Sequence, residues 1–174
     1  VQERVTHQGF ADSSAWARGQ AWAIYGFTMV HRYTKDPRFL ATAQRAADFY
    51  LDHLPPDLVP YWDFRAPGIP NIPRDASAAA VAASGLIELG MATEGARGRA
   101  YRIAAGKILR SLVTTYLDTT AASRGLIRHA TGNMPAGTEI DVSLIYGDYY
   151  YVEAALRWLK GNRHDTTFDR CIID

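Results

Sequence analysis

Apolar and polar positions along the chain recur mostly with a helical period. Residues 1–12 lack one and read as loop, with His7-Gln8-Gly9 leading into the first helix. That helix is predicted from Ala17 to about Thr34, with Ser13 or Ser14 as its N-cap. Its small residues Ala17, Gly19, Ala21, Ala23 and Gly26 permit close helix approach. Asp36-Pro37 marks a restart, because Asp caps a helix and Pro suits its first position. The second helix, to about Leu54, sets Phe39, Ala43, Ala46 and Tyr50 on one stripe and charged side chains elsewhere, so it is amphipathic and outer. Pro55-Pro56 stops it.

Residues 58–74 form a long loop that carries Tyr61-Trp62-Asp63-Phe64; loops of this length within a domain are often functional. Asp63 reads as a turn or cap carboxylate. Asp75 caps a third helix, to about Met91, built almost wholly of small and apolar residues and therefore buried. A fourth, amphipathic helix is expected over 97–117, with Arg97, Arg99, Arg102, Lys107 and Arg110 on a solvated face. Residues 119–140 read as a second long loop, with His129 as a surface side chain. Asp141 or Ser143 caps a fifth helix over 144–160, rich in tyrosine. Within it, Asp148 has two readings: partner of a loop amide or tyrosine hydroxyl, or catalytic carboxylate. Strand signals are weak throughout.

Buried small-residue helices alternate with amphipathic ones. Ser13, Ser77 and Ser143 open successive units, a period of about 65 residues. The third unit lacks its second helix. Repeated buried-then-exposed hairpins predict an all-α fold, an α/α solenoid or toroid with one apolar flank open. A tetratricopeptide-type solenoid is the weaker reading, since its repeat is much shorter. Residues 1–161 are expected to form one helical domain, and 162–174 a polar tail without period.

Composition narrows the function classes. The 174 residues are 48% hydrophobic and 21% charged, as in a globular domain with a real core. Nineteen basic and eighteen acidic residues leave a formal charge of +1 with no basic stripe, which argues against nucleic acid. The longest charge-free, apolar-rich run, 76–87, is too short to span a bilayer. Cys171 is the only cysteine, so no intrachain disulfide forms, which favours a reducing, cytoplasmic setting. Val1 is not an initiator methionine, so an upstream segment is expected.

The candidate chemistry lies in Ser13–Tyr25. Arg18 and Trp22 share a helical face, and Trp16 can join them only if it precedes the first regular turn. An arginine beside exposed indoles suits a ligand with a carboxylate and an apolar ring face. On the plainer reading both tryptophans are core and Arg18 is a solvated helix end.

With Trp16-Ala-Arg18-Gly-Gln20-Ala-Trp22 in view, the chain resembles the unsaturated glucuronyl hydrolases of glycoside hydrolase family 88. His7-Gln8-Gly9, Val59–Phe64, Arg74–Ala80 with Ser84-Gly-Leu86, and Asp141–Tyr149 carry the likeness further. The resemblance implies about half of an (α/α)6 toroid, the C-terminal half of a domain about twice this length. It implies action on 4,5-unsaturated glucuronic acid at the end of lyase-generated oligosaccharides. The double bond is hydrated by an aspartate acting as general acid and base, and the resulting hemiketal rearranges. The resemblance implies no metal or organic cofactor. It places Gln8, Trp16, Arg18 and Trp22 in the uronate pocket: Arg18 at the carboxylate, the two tryptophans flanking the ring, Gln8 hydrogen-bonding nearby. The family's catalytic aspartates match no position here, and Gly132-Asn133 stands where an aromatic is expected. The expected partner is thus an unsaturated uronic-acid oligosaccharide, with no nucleic acid and no membrane. The rival expectation is a non-catalytic helical module; two copies could cover each other's open flank as a homodimer.

Overall fold

The computed structural model describes residues 3, 5–120 and 123–161; the 162–174 tail and Cys171 lie outside them. Among the described residues there are five helices: α1 (Ala17–Thr34), α2 (Pro37–Asp52), α3 (Ala76–Ala92), α4 (Gly95–Ser111) and α5 (Ile145–Gly161). A π-helical turn, Leu112–Tyr116, extends α4. Two strands, β1 (Ala130–Asn133) and β2 (Thr138–Val142), form an antiparallel ribbon with a register shift between Ala130 and Thr131.

α1 packs on α2 and α3, and α3 packs on α4 and α5. α1, α3 and α5 therefore form an inner row, with α2 and α4 outside it. α3 sits at the centre: Ala76 to Ile87 are all buried, along with Leu89 and Gly90. Small side chains let its neighbours come close. A Cβ on Gly85 would stand 3.0 Å from the Tyr25 backbone, so glycine lets α1 cross α3 closely. Leu86, Ile87, Leu89, Ile108 and Leu112 fill the space between inner and outer layers.

The caps follow local chemistry. The Asp36 carboxylate accepts from Arg38 N–H at 2.8 Å, and Asp75 accepts from Ala78 N–H at 3.2 Å. α1 differs from expectation: its N-cap is Trp16, with no side-chain cap bond. Ser14 is engaged elsewhere, donating its hydroxyl to Asp63 at 2.7 Å. The segment 119–140 also departs from a plain loop, because its end forms β1 and the start of β2. Strands this short carry too little alternation to stand out in sequence. Among the described residues, no helix is long and apolar enough to cross a membrane.

Candidate functional site

The site is built where α1 begins. Trp16 has extended backbone (φ −60°, ψ 122°) and pairs with the loop that precedes α3. Ala17 N–H donates to the Trp62 carbonyl at 3.1 Å, and Phe64 N–H to the Ala15 carbonyl at 3.0 Å. Asp63, wholly buried between them, accepts from the Phe10 and Arg65 amides at 3.0 and 2.8 Å as well as from Ser14. Its role is to hold this loop, the turn-carboxylate reading.

Because Trp16 precedes the first turn, its ring turns back over Arg18, 4.8 Å from the guanidinium carbon. Gly19 leaves room for the ring; a Cβ there would meet it at 2.8 Å. Tyr146 of α5 contributes a second ring 5.2 Å from the same carbon.

Arg18 is not the exposed fork expected from its place at a helix start; it is 3% exposed. Nη1 donates to Asp75 Oδ2 at 2.6 Å and to the Thr131 carbonyl at 2.6 Å. Nη2 donates to the Gly132 carbonyl at 2.5 Å. The reason is long-range: the cap of α3 arrives beneath the start of α1, and a buried guanidinium takes the nearest carboxylate and carbonyls. Asp75 Oδ1 accepts from the Ser77 hydroxyl at 2.5 Å and from Ala78 N–H, so one carboxylate joins α1 to α3. Burial pushes the Asp75 carboxyl up, with Arg18 and its other donors pulling the opposite way. Burial also raises the Tyr146 and Tyr50 phenols, and Tyr50 is raised further by Asp75.

Gln8 reaches the same place. Its Nε2 donates to the Gly132 carbonyl at 3.2 Å. Gln8, Trp16 and Arg18 are thus brought together at the edge of β1. Trp22, one turn on, is half-buried and meets Tyr150 edge-on at 5.1 Å. A recess of about 340 Å³ borders Trp16, with Thr6, Ser14, Gly19 and Gln20 in its walls.

Two further carboxylates have partners near the site. Asp148 accepts from the Leu126 and Ile127 amides at 3.0 and 2.8 Å, the loop-amide reading. Asp141 accepts from His129 Nδ1 at 2.6 Å, both side chains being exposed. Among the described residues no cluster of three or more His, Cys, Asp or Glu could hold a metal. Sequence reasoning missed Asp75 as the Arg18 counter-ion and Tyr146 as its second ring. The only available signal for Asp75 was its cap position, which says nothing of a partner 57 residues away.

No protein-family profile matches the chain. An unsaturated glucuronyl hydrolase of Formosa agariphila is 47% identical over 161 residues, covering 90% of this chain and 40% of that protein. The crystal structure of an unsaturated glucuronyl hydrolase specific for heparin superposes with a TM-score of 0.89 at 40% identity, covering 95% of this chain and 45% of that one. An aspartate-to-asparagine variant of the Streptococcus agalactiae enzyme, complexed with dGlcA-GalNAc6S, superposes at 0.84 with 37% identity, covering 90% and 42%. The chain therefore spans less than half the length of these relatives. The likeness to unsaturated glucuronyl hydrolases holds across nine-tenths of the chain, and its helices match part of an α/α toroid.

Proposed function

We propose that this chain, alike in sequence and fold to a segment of the unsaturated glucuronyl hydrolases, forms the sugar-binding wall of a glycoside hydrolase that removes 4,5-unsaturated glucuronic acid by double-bond hydration. Residues 1–161 act as one helical unit, the C-terminal half of the toroid. The observation that carries this reading is the meeting of Gln8 and Arg18 on one carbonyl, Gly132, with the Trp16 ring over the Arg18 guanidinium. The acidic sugar lies against Trp16, with Gln8 as a hydrogen-bonding group, Arg18 as the positive centre and Trp22 as a further apolar face.

The proton donor lies outside this chain. General acid–base catalysis needs a carboxyl group within reach of the proton it moves. Asp63, Asp75 and Asp148 are each held by two or more internal donors, which supports assigning them to the fold. Calorimetric titration with an unsaturated chondroitin disaccharide tests the wall. Saturable binding that Gln8→Ala and Trp16→Ala each weaken supports it; equal binding by both variants contradicts it.

A second reading is carried by α5. Ile145, Tyr149, Val152, Leu156 and Leu159 are 87%, 60%, 42%, 51% and 63% exposed and recur every three or four residues. In this reading the chain is a non-catalytic module, and the stripe pairs with that of a second copy. Antiparallel pairing would oppose the two helix dipoles. Light scattering over a range of concentrations separates the readings. A mass of twice the chain that Leu156→Lys halves supports the module; a monomer at every concentration contradicts it.

A further inference from the structure

Arg18 carries one positive charge, and Asp75 already neutralises it in the interior. An acidic sugar at this wall, on the reading above, brings a second carboxylate to the same guanidinium. Two carboxylates beside one cation repel, and the buried one is the harder to keep ionised. Burial is complete at Asp75 and already pushes its carboxyl up from the ordinary aspartate value.

We propose that Asp75 is a positioning residue, which fixes the plane of Arg18 between Trp16 and Tyr146 and takes up a proton from solvent when an acidic sugar binds. Protonation turns Asp75 from counter-ion to neutral neighbour and releases the Arg18 charge to the ligand. The fold can bear this step. Arg18 stays tied to the Thr131 and Gly132 carbonyls, and Oδ1 keeps the Ser77 and Ala78 bonds. A neutral sugar gives Asp75 no reason to change state, so the proton uptake accompanies only the acid. Few other groups compete for the proton. Tyr50 of α2 and Tyr146 of α5 are coupled to Asp75, but both are neutral phenols raised by burial. Glu139 of β2 faces Tyr146, His129 below β1 is turned to Asp141, and Arg74 is paired with Asp57.

Calorimetry reads the proton directly. The chain is titrated with an unsaturated chondroitin disaccharide and with its uronate methyl ester, in two buffers of unequal ionisation enthalpy at each pH. The expected result is net proton uptake with the acid, growing from neutral toward mildly acidic pH, and none with the ester. Asp75→Asn is expected to abolish the uptake and, above pH 7, to bind the acid several-fold more tightly. A purely structural Asp75 would instead weaken binding in that variant. Binding of the acid to the wild-type chain without proton uptake overturns the role of Asp75 and leaves the proposed wall standing. No binding of either sugar overturns both.

Discussion

Ser14 and Asp63, 49 residues apart, meet at 2.7 Å, hydroxyl to carboxylate. With the Phe10 and Arg65 amides on the same carboxylate, this contact draws the loop before α3 under the start of α1. It thereby sets Trp16 outside the first helical turn, where its ring can cover Arg18. Asp63→Ala would leave several donors without a partner. It is expected to cost about 2–4 kcal/mol of stability, read from urea unfolding, and Asp63→Asn less.

The Arg18–Asp75 pair is buried on both sides. Removing one charge strands the other in the interior. Arg18→Met is expected to cost about 3–5 kcal/mol. The double variant Arg18→Met/Asp75→Leu should recover most of that loss, since it leaves no unpaired charge. A double variant no more stable than Arg18→Met would show that the cost lies in packing.

Stability should also depend on pH through Asp75. Burial raises its folded-state pKa above the unfolded 3.8. The stability this group contributes is therefore complete below that value and is lost as pH rises through the folded one. Asp75→Asn does not titrate there. The stability difference, wild type minus variant, is expected to shrink as pH climbs from 3.8 across the carboxylate range, measured by urea unfolding at successive pH values.

The α1–α3 crossing is set by Gly85. A methyl group there would press on the Tyr25 backbone, which has no flexible end to yield. Gly85→Ala is expected to destabilise by about 1–3 kcal/mol despite its better helix propensity. The thermal midpoint checks the sign.

Much of the architecture was legible because it rests on local rules. The run of small residues in α3 could only be buried, Asp36 and Asp75 announced helix starts, and Asp148 served loop amides as its chemistry allowed. The site was legible in its parts and not in its wiring. Residue types flagged Trp16 and Arg18, the family resemblance added Gln8, and these three do converge. That Arg18 would be internal was invisible, since its partners at positions 75, 131 and 132 reach it only through tertiary packing. The β1–β2 ribbon escaped for a related reason. Its strands are short, and its tip turns at Gly137 with φ +67°, so neither alternation nor length marked it.

The central claim is a sugar-binding wall without a proton donor. It is tested by holding the isolated chain at a saturating concentration of unsaturated chondroitin disaccharide and following the double-bond absorbance while binding is read by calorimetry. The account predicts a saturating heat and an unchanging absorbance. Steady loss of absorbance, abolished in Asp148→Asn or Asp63→Asn, would contradict it.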